Sequence, residues 1–145
     1  MEQVVNHLAA LGQTRIGFIG ERLSVGRLNN MLSLLNDRSL DICDSHVKIG
    51  ETRFEAGGYE QMKLLLEEPD LPTAVIAGYD QMAIGALKAV WEAGLDLPED
   101  FSLVLVWQQR FCGDFSQIII SQFLMEHFTI AARQLSILFL IFRVL

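Results

Sequence analysis

Residues with catalytic chemistry are few in this chain, and their spacing matches no common catalytic motif. The sequence contains no Gly-x-Ser-x-Gly elbow, phosphate-binding loop, Gly-x-Gly-x-x-Gly turn or His-Glu-x-x-His pair. The histidines His7, His46 and His127 lie in unrelated segments, so each is expected to be a surface or packed imidazole. A triad that assembles only in the folded chain would leave no such motif. The pattern nevertheless favours a protein that is not an enzyme.

Cysteine usage gives no indication of metal or redox chemistry. Cys43 and Cys112 are the only two cysteines, and they form neither a zinc motif nor a disulfide framework. We expect both to be buried, reduced thiols. The sequence therefore predicts no metal site and no cofactor.

The charge balance argues against binding to anionic surfaces. The 145 residues carry 11 basic and 18 acidic side chains, a net charge of −7, with no basic stripe to neutralise phosphates. We therefore expect no direct binding of nucleic acid or of an anionic membrane. The length is that of a single domain over residues 1–145.

The apolar segments are too short to span a membrane. The run Leu135–Ile141 lies between Arg133 and Arg143, well below the roughly 20 residues that a bilayer requires. The segment Met1–Gly12 lacks the cationic and apolar regions of a secretory signal. Both features favour a cytoplasmic location.

Helical and strand-like patterns alternate along the chain. Apolar periodicity predicts a helix that stops at Gly12, then helices over Gly26–Asn36, Glu55–Glu67 and Asp80–Gly94. Short apolar runs predict strands at Arg15–Ile19, His46–Ile49, Ala74–Ala77 and Phe101–Val106. In the fourth helix we expect Asp80 to be the N-cap and Trp91 to face the core.

This alternation predicts an α/β fold with a doubly wound parallel sheet and helices on both faces. Ligands of such sheets bind outside the carboxyl ends of the strands. Candidate binding residues should therefore lie in the loops after Ile19, Ile49, Ala77 and Val106.

Five motifs in those regions follow one another in a recognisable order. They are Leu-Gly-Gln-Thr-Arg-Ile-Gly-Phe-Ile-Gly at 11–20, Gly-Gly-Tyr-Glu at 57–60, Leu-Pro-Thr-Ala-Val-Ile-Ala-Gly-Tyr-Asp-Gln-Met-Ala-Ile-Gly-Ala at 71–86, Glu-Ala-Gly-Leu at 92–95 and Leu-Pro-Glu-Asp-Phe-Ser-Leu-Val at 97–104. In this order and spacing the chain resembles the LacI/GalR family of bacterial transcriptional regulators. The resemblance is strong over about 8–104 and weak over 105–145.

The resemblance implies one lobe of a periplasmic-binding-protein-like core. Family members have two such lobes around an effector, preceded by a DNA-binding headpiece. This chain begins where the second lobe would begin, so we expect it to lack the headpiece and the first lobe. A free-standing small-molecule binding module and a truncated remnant without activity of its own are the alternatives.

The resemblance also implies particular ligand residues. Arg27 falls at the arginine that the family directs at sugar hydroxyls or a purine, Tyr79 is a further candidate contact, and Phe54 lies near the family's stacking aromatic. The aspartate that follows the last strand motif in the family is replaced, and Trp107 in this region could stack on a sugar. Asp80 is more consistent with a helix cap.

The partners that the resemblance implies are a small effector of the sugar or nucleobase class and a second copy of the chain. Effector binding should be weak, because a single lobe offers an open face. The helix from Asp80 and the segment Trp107–Gln117 are candidate dimer contacts. A further helix predicted over about Phe123–Phe142 is apolar on all sides, which also favours a homodimer.

Overall fold

A computed structural model describes residues 1–38, 40, 42–97 and 100–105, and these residues form a parallel sheet flanked by helices. The strands are β1 (Ile16–Glu21), β2 (Val47–Gly50), β3 (Ala74–Ala77) and β4 (Ser102–Leu105). They pair in the order β2-β1-β3-β4, and every pairing is parallel. Expectations for residues 106–145, including Cys112, Trp107 and the apolar helix, lie outside the described residues.

Among the described residues, four helices connect and cover the strands. They are α1 (Glu2–Ala10), α2 (Val25–Asn36), α3 (Phe54–Leu66) and α4 (Asp80–Glu92). Short 3-10 turns at Arg22–Ser24 and Asp44–His46 precede α2 and β2. The doubly wound α/β fold predicted from the alternation is confirmed.

Two apolar cores lie on opposite faces of the sheet, because neighbouring strand residues point in opposite directions. Phe18 of β1 belongs to the core that α1 and α2 cover, whereas the next residue, Ile19, belongs to the core under α3 and α4. In β3, Val75 belongs to the core under α3 and α4, and Ile76 belongs to the core that α1 and α2 cover. Continuous burial along β1 and β3 explains why both strands are apolar runs without alternation.

Two side chains expected in the interior are on the surface. Trp91 is 55% exposed, although its neighbour Val90 is fully buried. Successive helix residues are about 100° apart around the axis, so Trp91 lies outside the apolar stripe of α4. Cys43 is also exposed, because it lies in the connection before β2, where its thiol is 3.0 Å from the hydroxyl of Ser45.

Polar contacts fix the connection before β3 at the amino-terminal edge of the sheet. Nε2 of the buried His46 lies 2.7 Å from the carbonyl oxygen of Asp70. Arg15 forms an ion pair with the carboxylate of Asp70, and Lys48 Nζ lies 2.6 Å from a carboxylate oxygen of Glu68. This edge is therefore occupied by structural contacts.

Candidate effector-binding edge

The carboxyl ends of β1 and β3 define the crevice in which ligands of doubly wound sheets bind. Chain connections leave these two central strands in opposite directions, toward β2 and toward β4, and a crevice forms where the winding reverses. The amide of Gly78, directly after β3, donates a 2.8 Å hydrogen bond to the carbonyl of Ile19 in β1. A Cβ on Gly78 would lie 2.9 Å from Cβ of Ser24, so only glycine lets the loops meet this closely.

Two buried polar residues shape the loop that follows β1. A carboxylate oxygen of Glu21 accepts a 2.9 Å hydrogen bond from the amide of Leu23, and the Ser24 hydroxyl accepts one of 2.9 Å from the amide of Glu21. Glu21 is 3% exposed and Ser24 is fully buried. Both side chains bond to the backbone, so their role is to fix the 3-10 turn that leads into α2.

Arg27 lies one turn into α2, where its guanidinium reaches the end of β3. Its Nη1 donates a 2.8 Å hydrogen bond to the carbonyl of Gly78, and the side chain is half-buried. This bond fixes the arginine at the crevice between β1 and β3. A guanidinium presents five N–H donors in a planar fork, which suits hydroxyl pairs and ring acceptors.

Phe54 and Tyr79 form an aromatic pair at the same edge of the sheet. Their ring centroids are 6.3 Å apart with an interplanar angle of 77°, an edge-to-face contact. Phe54 is 46% exposed, and the guanidinium carbon of Arg53 lies 4.7 Å from the centroid of its ring. The Tyr79 hydroxyl accepts a 2.8 Å hydrogen bond from the amide of Phe54.

The backbone of Phe54 is strained. Its φ of +59° lies in the left-handed region, which costs a residue other than glycine about 1–2 kcal/mol. The tyrosine contacts hold the residue in this conformation. Strain of this kind often occurs at ligand sites, where the surrounding structure determines the geometry.

Close packing of α3 against α4 fixes the distance between the two aromatic residues. A Cβ on Gly58 would lie 1.9 Å from the carbonyl oxygen of Met82, and one on Gly85 would lie 1.8 Å from that of Glu55. The amino-terminal halves of the helices are therefore in backbone contact. Since each aromatic residue stands at the beginning of one helix, this contact positions the pair.

The predicted cap of α4 is wrong by one residue. Tyr79 is the N-cap, with an extended backbone, and its carbonyl accepts the first intrahelical bond from the amide of Ala83. Asp80 is the first helical residue. Its carboxylate can still interact favourably with the positive end of the helix.

The structure thus brings Arg27, Phe54 and Tyr79 to the same edge of the sheet, while Trp107 lies outside the described residues. The sequence analysis missed Glu21 and Ser24. Two polar residues three positions apart, one at the end of a buried strand and one in the turn after it, are typical of a capping box and could have identified them.

One ion pair lies at the end of β2. The exposed Arg22 lies 3.3 Å from a carboxylate oxygen of Glu51, the residue after β2. Among the described residues, no group of three or more histidine, cysteine or acidic side chains could hold a metal ion. Within the same residues, no helix has the length and apolar character needed to cross a bilayer.

A profile of the periplasmic binding protein-like domain family matches residues 5–133. The chain belongs to this family, in agreement with the sheet order and the position of the crevice. A solved LacI family transcriptional regulator from Mycobacterium smegmatis has a similar fold, with a TM-score of 0.67 and 27% identity over 74% of this chain and 42% of that one.

Among curated relatives, the HTH-type transcriptional repressor MelR of Bacillus subtilis is 37% identical over 112 residues, covering 70% of this chain and 32% of that protein. The HTH-type transcriptional repressor PurR of Escherichia coli is 35% identical over 102 residues, covering 68% and 30%. The chain spans about a third of the length of these relatives. It is homologous to part of the effector-binding core of LacI-family repressors, as the motifs predicted.

Proposed function

We propose that this chain is the effector-binding and dimerising part of a LacI-type transcriptional repressor. The observation that carries the proposal is the position of Arg27, whose guanidinium is bound at the end of β3 in the crevice of the sheet. Phe54 and Tyr79 lie at the same edge. A fixed guanidinium and an exposed ring at one edge of a sheet would supply polar and apolar contacts for a small molecule.

The chemistry of the edge favours a neutral effector of the sugar or nucleobase class. Arg27 would donate to hydroxyl or ring acceptors, and the exposed Phe54 ring would cover an apolar face. Arg22 is paired with Glu51, so its charge is not left over for an anionic ligand. Trp107 would be a further stacking residue.

Effector binding by these 145 residues alone is expected to be weak. On the open face of one lobe, water competes for every hydroxyl of the ligand. We expect dissociation constants of about 1 mM or higher, corresponding to roughly 4 kcal/mol or less.

Calorimetry against a panel of sugars and nucleobases tests the binding function. Arg27→Ala should weaken binding of the best ligand at least about tenfold, which corresponds to about 1.4 kcal/mol. Arg38→Ala is a matched control, because Arg38 also donates a 2.8 Å bond to a backbone carbonyl but lies beyond the other end of α2. Equal loss in both variants, or none in Arg27→Ala, would contradict the assignment of Arg27.

We also propose that the chain forms a homodimer through the outer surface of α4. The support is Trp91, a large apolar side chain that is 55% exposed on this helix. Trp91→Glu should shift sedimentation toward the monomer. Leu11→Glu, at an apolar residue 53% exposed beside α1, should leave the sedimentation coefficient unchanged. A wild-type monomer would refute the dimer.

A cytoplasmic location and a lack of direct DNA binding complete the proposal. The relatives are transcriptional repressors, which supports the location. The net charge of −7 supports the second point, because it leaves little capacity to neutralise phosphates.

A further inference from the structure

The hydroxyl of Tyr79 caps a helix that begins elsewhere in the chain. It accepts a 2.8 Å hydrogen bond from the amide of Phe54, the first residue of α3, which is 25 positions earlier in the sequence. The N-cap of α3, Arg53, makes no hydrogen bond to the helix with its own side chain. Tyr79 therefore supplies an acceptor for one of the amides that a helix start leaves without an intrahelical partner.

This hydrogen bond fixes a residue whose backbone conformation is unfavourable. Phe54 has a φ of +59°, and its ring contacts the Tyr79 ring edge-to-face at 6.3 Å. The Tyr79 hydroxyl thus holds the backbone of Phe54, and the Tyr79 ring holds its side chain. With 46% exposure, Phe54 presents the surface that a ligand can reach.

We infer that Tyr79 is a positioning residue of the effector site, which acts on the effector through the ring of Phe54 and not through a hydroxyl contact of its own. This inference rests on the proposed function. The sequence analysis predicted Tyr79 as a ligand contact; in the structure its hydroxyl oxygen accepts from the Phe54 amide, which gives it a role at the start of α3. Loss of the hydroxyl should release the start of α3 and leave the aromatic ring less well placed.

Tyr79→Phe tests the inference, because it keeps the ring and removes the acceptor. Amide hydrogen exchange at Phe54, followed by NMR, should become about threefold to tenfold faster, as expected for the loss of one hydrogen bond. Affinity for the sugar that binds best in the calorimetric panel should fall by a similar factor. Tyr59→Phe is the matched control, since its hydroxyl donates to Glu92 between the far ends of α3 and α4.

A double-mutant cycle separates positioning from direct contact. In a Phe54→Ala background, Tyr79→Phe should cause no further loss of sugar affinity. An undiminished loss in that background would show that the hydroxyl contacts the ligand, and would overturn the inference. So would unchanged Phe54 exchange or unchanged affinity in Tyr79→Phe alone. If the wild-type chain binds no sugar or nucleobase, both the proposed function and the role of Tyr79 are wrong.

Discussion

Substitution of Gly85 by alanine should separate the two helices that position the aromatic pair. The new Cβ would lie 1.8 Å from the carbonyl oxygen of Glu55, whereas ordinary contact begins at 3.4 Å, so the backbones must move apart by about 1.6 Å. Overpacking of this kind costs about 1–3 kcal/mol, and the contact lies at the severe end of that range because both sides are backbone. Alanine has a higher helix propensity than glycine, which offsets about 1 kcal/mol of this cost. The expected net loss is about 2 kcal/mol.

Urea unfolding followed by circular dichroism measures this loss, which should lower the midpoint at an unchanged slope. The melting temperature should fall by about 4–8 °C for a chain of this size. Gly26→Ala in α2 is the control, because a Cβ there meets nothing within 4 Å, and it should stabilise the chain by up to about 1 kcal/mol. Equal or greater stability of Gly85→Ala would refute the packing argument.

Three further predictions concern the backbone, a titration and DNA. Phe54→Gly should be more stable to urea than Phe54→Ala by about 1 kcal/mol, since only glycine adopts a φ of +59° without strain; the reverse order would contradict this. The hydrogen bond to Glu92 raises the pKa of Tyr59 above its ordinary 10.0. The stability that this hydrogen bond contributes to the fold is therefore present below pH 10 and is lost as the pH rises through the raised pKa. Ultraviolet titration should show a lower pKa of Tyr59 in Glu92→Gln than in the wild type. An unchanged pKa would show that the hydrogen bond to Glu92 does not raise it. A mobility-shift titration at low salt should show no DNA retention, and submicromolar binding would contradict the charge argument.

The sequence predicted the central strands β1 and β3 well because they are buried on both faces. Ala74–Ala77 forms β3 with the predicted bounds, and Ile16–Glu21 extends the prediction for β1 by two residues at the carboxyl end. Such strands are continuous apolar runs between helices, a pattern that can be recognised locally. The edge of the sheet that carries the candidate site follows from this topology alone.

Contacts between distant segments could not be predicted in the same way. The bond from the Phe54 amide to Tyr79 joins residues with no periodic relation, and the left-handed backbone of Phe54 has no glycine to indicate it. Asp80 was misassigned because an acidic residue is favourable both at the N-cap and in the first turn of a helix. Trp91 was placed in the core because it lies four residues after the apolar Leu87, a helical spacing, although it falls just outside the buried stripe.

The measurement that tests the central claim most directly is an amide-shift NMR titration of the full chain with the best-binding sugar or nucleobase. The account predicts saturable shifts that cluster at the carboxyl edge of the sheet, around Arg27, Phe54 and Gly78, and that disappear in Arg27→Ala. Shifts clustered instead at the opposite edge, around His46 and Asp70, or no saturable shifts with any ligand, would contradict it.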